Sequence, residues 1–136
     1  MLWNFVRGDR MESYQDIYNE VEEIRKDLSE YIHYLRKTNK KLAEAERDYR
    51  KKLSLMILQL HTEGYSGTIQ GKQYDTDSVA WTTCWDLARG LPEVAKLRFR
   101  RDIAKGEKES TKQKIFQTKK EMDYLVSELE AIRRGE

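Results

Sequence analysis

YQDIYNEVEEIRKDLSEYIHYLRKTNKKLAEAERDY, residues 14–49, is the stretch that decides the fold. Apolar residues recur along it at alternating spacings of three and four. One set is Tyr14, Val21, Leu28, Leu35, Leu42 and Tyr49. The other is Ile17, Ile24, Tyr31, Thr38 and Ala45. An α-helix turns once in about 3.6 residues, so this repeat gathers one set of side chains onto a single seam, the period that pairs helices in coiled coils. Beyond Tyr49 the seam shifts to Leu53, Met56, Ile57 and Leu60, the displacement that a four-residue stutter produces.

No Gly or Pro interrupts the chain between Gly8 and Gly64. Ser13 stands as an N-cap, with Asp16 three residues on in an approximate capping box. Gly64 stands where a C′ glycine ends a helix. The spacing therefore predicts one helix over residues 13–63, about 75 Å long at ~1.5 Å per residue.

Residues 64–91 read as a loop and a short helix. Three glycines fall between Gly64 and Thr76, with room for a small hairpin around Thr68 to Tyr74. Thr76, Asp77 and Ser78 offer N-caps for a helix from Val79 to Arg89, which would place Trp81, Cys84, Trp85 and Ala88 on one face. Pro92 then occupies a first helical position, with Glu93 favouring the positive end of the helix dipole.

A second long helix is predicted over residues 92–134. Its seam is Val94, Leu97, Arg101, Ala104, Lys108, Thr111, Ile115, Thr118, Met122, Leu125, Leu129 and Ile132, apolar at both ends and polar between. Gly106 lies in the polar part and costs about 1 kcal/mol against Ala. It reads either as a local weak spot or as a close approach to another backbone near Ala43 and Ala45. Arg101 and Lys108, on the seam, are placed to reach acids such as Glu46 or Asp48.

The expected fold is all-α: a single domain built as a long, coiled-coil-like antiparallel helical hairpin with a loop-plus-helix cap. Residues 1–12 form an N-terminal extension. Two helices share little core, and such assemblies gain burial by dimerising. Trp3, Phe5 and Val6 have no partner in a lone hairpin and read as part of a homodimer contact.

Composition agrees. Apolar residues are 38% and charged residues 37% of the chain, the balance of helices that each bury one stripe. Three Trp, eight Tyr and the regular Leu/Ile pattern argue against disorder. A single Cys allows no intramolecular disulfide and points to a reducing compartment. Met1 to Val6 is too short and interrupted for a signal sequence, and the cluster from Leu53 to Leu60 is broken by Ser54 and Gln59. No membrane partner is expected, and a cytoplasmic location is.

The net charge is only +2, but charge is sorted by position. Residues 31–61 carry eight bases and three acids, and residues 94–120 carry ten bases and three acids. Residues 9–30 carry eight acids and three bases, and residues 121–136 five acids and two bases. In an antiparallel hairpin the basic stretches run side by side toward the capped end. Three readings stay open: solvated helix faces, head-to-tail self-assembly, or a surface for phosphate or an acidic protein. The third makes Arg98, Arg100, Lys105 and Lys112, with Tyr65, Tyr74, Trp81 and Trp85, the candidate partner-binding residues. Arg98, Lys105 and Lys112 recur every seven residues and share a face beside the seam. Basic groups beside stacking rings also suit single-stranded nucleic acid.

Catalytic chemistry is not legible. His33 and His61 lie far apart, and with one Cys they assemble no zinc set. Cys84 reads as a small buried residue. Gly67 to Gln73 has the wrong glycine spacing for a phosphate loop and Gln where Ser or Thr is needed. No enzyme, cofactor or metal is expected.

Leu42-Ala43-Glu44-Ala45-Glu46 with Tyr49, Leu60-His61-Thr62-Glu63-Gly64, Asp86-Leu87-Ala88-Arg89-Gly90, Val94-Ala95-Lys96-Leu97-Arg98 and Arg101-Asp102-Ile103-Ala104 together resemble small helical early-region proteins of tailed phages and prophages. The resemblance spans residues 42–130 and implies a genomic neighbourhood near replication and recombination genes, in a host cytoplasm, rather than a chemistry. Gly106, the Gly- and Tyr-rich loop and the aromatic N-terminus depart from the pattern. The expectation is a non-enzymatic accessory protein that binds a protein machine of host or phage, as an inhibitor of a nucleic-acid-directed defence system. The alternatives are a nucleic-acid-binding accessory of replication or recombination, and a structural coiled-coil scaffold.

Overall fold

A computed structural model describes residues 14–69 and 71–135, without the side chains of Ile69 and Tyr74. Trp3, Phe5, Val6 and the Ser13 cap lie outside the described residues. The chain is mostly helical. Its order is α1 (Tyr14–Glu63), β1 (Tyr65–Ile69), β2 (Lys72–Thr76), α2 (Trp81–Gly90) and α3 (Pro92–Arg133). Its described residues divide into two compact units, one within residues 38–107 and one formed by residues 14–37 with 108–135.

In the unit of residues 38–107, α1 and α3 run antiparallel. Lys41 reaches Glu107 at 3.3 Å, Tyr49 lies under the Arg101 guanidinium, and Lys52 reaches Glu93 at 3.1 Å. Each step along α1 is a step back along α3. Ala45 and Ala104 fall at one level of this ladder and are both buried. Toward the connecting segment the seam widens into a core of Tyr49, Leu53, Ile57 and Leu60 from α1, Val79, Cys84 and Ala88 from α2 and the residues just before it, and Val94 from α3. Met56, Tyr65, Leu87, Leu91 and Leu97 pack against it.

The other unit has its own core, Ile17 and Val21 against Leu125 and Leu129, with Ile24, Met122 and Val126 beside them. Tyr31 takes the Lys114 ammonium at 4.5 Å. Across both units, every predicted seam position is buried or half-buried except the end residues Tyr14 and Ile132. The polar part of the seam is also used: Thr38 and Thr111 are both buried.

Three expectations need correction. The connecting segment is not purely loop and helix. It forms a two-stranded antiparallel sheet from Tyr65↔Thr76 to Ile69↔Lys72, longer than the hairpin expected at residues 68–74. β-branched and aromatic residues at 65, 68, 69, 74 and 76 favour extended backbone. Second, α2 begins at Trp81, with Ala80 as N-cap and no side-chain cap bond. Val79 is drawn into the core, and this holds Thr76, Asp77 and Ser78 too far back to cap. Third, a Cβ on Gly106 would meet nothing within 4 Å. No backbone of the chain approaches it among the described residues, which removes the close-approach reading and leaves that of a local weak spot.

Gly64 does end α1 as expected. Its amide donates to the Leu60 carbonyl at 3.0 Å and its φ is +81°, the left-handed C′ conformation.

Candidate functional site

Cys84 and Ala88 are fully buried, and Leu87 and Leu91 pack beside them. They set the roll of α2 against the core. Because each residue turns the helix about 100°, the row through Trp81 and Trp85 then falls at the edge of the buried stripe rather than within it. Trp81 is 51% exposed and Trp85 50%. These two indoles, one turn apart, are the largest apolar groups that α2 offers to solvent.

Trp81 is held in place. Its ring stacks on His61 with centroids 3.7 Å apart and planes inclined by 17°. His61 Nδ1 donates to the Val79 carbonyl at 2.9 Å, which requires the proton on that nitrogen. The Cys84 thiol donates to the same oxygen at 3.3 Å. One carbonyl thus ties the end of α1 to the start of α2, and the imidazole forms the shelf on which the indole rests.

The apolar surface continues along α1. Leu55, Leu58 and His61 follow one another at spacings of three, which makes them neighbours on a helix surface. Leu55 and Leu58 point away from the core set of Leu53, Ile57 and Leu60 and are both more than half exposed. The ridge Leu55–Leu58–His61 therefore leads to Trp81 and on to Trp85.

A separate cleft of about 450 Å³ runs along the Asp86–Gly90 side of α2, and none of Leu55, Leu58, His61, Trp81 or Trp85 lines it. Tyr65, Leu87, Leu91 and Pro92 form its apolar walls, and Thr68 and Asp86 its polar edge. Tyr65 thus lines this separate cleft. The Tyr74 side chain lies outside the described part of the structure.

The basic candidates sit elsewhere. Arg98 is half-buried, and Arg100 and Lys105 are exposed on α3. Lys112 is exposed but belongs to the other unit. Arg101 does not bridge to Glu46 or Asp48: it lies 4.6 Å from the centre of the Tyr49 ring and pairs with its neighbour Asp102 at 2.9 Å. Residues 64–91, which carry both α2 tryptophans, hold three acids and two bases. The rings that sequence reasoning groups with a basic surface are thus carried on a segment with no excess of positive charge.

Comparisons with protein-family models, with characterised proteins and with solved structures found no match. Among the described residues, no three His, Cys, Asp or Glu side chains gather to hold a metal ion. No helix among them is long and apolar enough to cross a membrane.

Sequence reasoning misses Leu55, Leu58 and His61. For the two leucines a signal exists. Once Leu53, Met56, Ile57 and Leu60 are assigned to the seam, Leu55 and Leu58 are left over on the opposite side of the helix. His61 gives no signal, because its stacking partner is twenty residues away across a hairpin.

Proposed function

We propose that this chain is a non-enzymatic protein-recognition module whose docking surface is the ridge formed by Leu55, Leu58, Trp81 and Trp85. The observation that carries this reading is that four large apolar side chains stand about half exposed on two elements that are both locked into one core. Contiguous apolar surface of this kind marks interaction sites, and Trp is enriched among the few residues that dominate interface energies. The His61 stack fixes Trp81 before binding, so little side-chain entropy is lost on contact.

The charge of the segment supports a protein over a phosphate backbone, since residues 64–91 carry no excess of bases. The resemblance to small phage early-region proteins suggests the class of partner: a host or phage machine acting on nucleic acid, inhibited by covering one of its surfaces.

Capture from cell lysate with sorted variants tests the reading. Trp85→Ser with Leu58→Ser should abolish recovery of the specific partner, while Arg98→Glu with Lys105→Glu should keep it. Purified protein should bind single- and double-stranded DNA and RNA weakly near physiological salt. Strong nucleic-acid binding with a steep salt slope, lost in the Arg98/Lys105 variant, would replace this reading with the nucleic-acid one.

A further inference from the structure

The second apolar surface of residues 38–107 lies on α3, on the side away from α1. Val94, Leu97, Arg101 and Ala104 form the inner seam of α3. Phe99, Ile103 and Gly106 follow at spacings of four and three on the opposite side of the helix, which is itself a heptad pattern. Phe99, at 67%, is the most exposed large hydrophobic residue among those described, and Ile103 is 48% exposed. Nothing described in the chain approaches Gly106.

We infer that this row is a homodimer contact, formed by α3 of a second copy lying antiparallel across it with the two-fold axis near Ile103. The row is complementary to itself. Phe99 and Gly106 lie about one helical turn on either side of Ile103, so an antiparallel copy sets Phe99 against the second copy's glycine at the same position, and the reverse. A projecting ring meets a position with no side chain, as a knob meets a hole, and the same patch serves both copies.

Charge fits the same register. Arg100 and Glu107 are seven residues apart and share one flank of the row. Glu107 already takes Lys41 at 3.3 Å. Antiparallel pairing brings Arg100 of each copy to Glu107 of the other, giving two opposite-charge pairs. A parallel copy would place these flanks on opposite sides of the seam and leave the Arg100–Glu107 pairs unmade. The contact also accounts for a glycine inside a helix that no packing among the described residues requires. This inference stands on residues separate from the Trp81–Trp85 ridge.

Sedimentation equilibrium of the full chain at micromolar concentration tests it. The wild type should sediment as a dimer. Phe99→Glu and Gly106→Leu should each yield monomer, with Leu55→Glu as a control that stays dimeric. The decisive arm is a charge exchange. Chains carrying Arg100→Glu, or Glu107→Arg, should each dimerise at least tenfold more weakly than wild type. Mixing the two should restore a heterodimer, because both pairs then attract. A monomeric wild type, a dimer indifferent to Phe99→Glu, or a mixture no tighter than its components would overturn the inference. A dimer lost on removing residues 1–13 but unaffected by Phe99→Glu would overturn it in favour of the N-terminal contact.

Discussion

His61 and Trp81 form the joint of the candidate site: the two rings stack at 3.7 Å while the imidazole also donates to the Val79 carbonyl. His61→Ala removes both contacts and leaves that carbonyl with only the weak Cys84 donor. The expected loss is about 1–3 kcal/mol in urea unfolding. His61→Gln, which can keep a hydrogen bond but not the stack, should lose less. Equal stability of His61→Ala and wild type would show that the joint does not hold α2.

Two glycines should respond in opposite directions to Ala. At Gly64 a methyl group would collide with the Thr76 carbonyl and the Asp77 backbone, at a left-handed φ. Gly64→Ala should lower stability by more than about 2 kcal/mol. At Gly106 the methyl group meets open space, and helix propensity favours Ala by about 1 kcal/mol. Gly106→Ala should therefore raise the melting temperature at concentrations where the chain is monomeric. Thermal denaturation followed by circular dichroism reads both.

The Arg101–Tyr49 contact tests how the polar seam is stabilised. Arg101→Ala loses a cation over a ring and the packing of its stem, an expected cost of about 1 kcal/mol. Tyr49→Phe keeps the ring face and should cost little. A double-mutant cycle of Arg101→Ala with Tyr49→Leu should show coupling of about 0.5–1 kcal/mol. Additive effects would mean that the guanidinium is held by Asp102 alone.

Most of the helical frame is legible in the amino-acid sequence, because one seam repeats over more than thirty residues of α1 without a break. Residues such as Val21, Leu28, Tyr49, Leu125 and Leu129 are buried as that period requires. The connecting segment is harder to read. Its hairpin depends on cross-strand pairing that leaves no strong local period, and its helix start depends on Val79 being pulled into a core built by three other elements. The candidate site is half legible. Trp81 and Trp85 stand out by type and spacing, but their exposure depends on which way Cys84 and Ala88 roll α2. Gly106 is an anomaly in the sequence, yet only the empty space above it shows that no neighbour from the described chain fills it.

Site-specific photo-crosslinking in the cells that express the chain decides whether a protein partner sits on the Leu55–Leu58–Trp81–Trp85 ridge. A photoreactive amino acid replaces Leu58 or Trp85 in one pair of variants, and Lys26 or Glu23 on the other unit in a control pair. One discrete protein adduct should be shared by positions 58 and 85, identified by mass spectrometry and absent from positions 23 and 26. Adducts of equal strength at all four positions, or nucleic acid as the trapped species at 58 and 85, would show that the ridge is not a protein-docking surface.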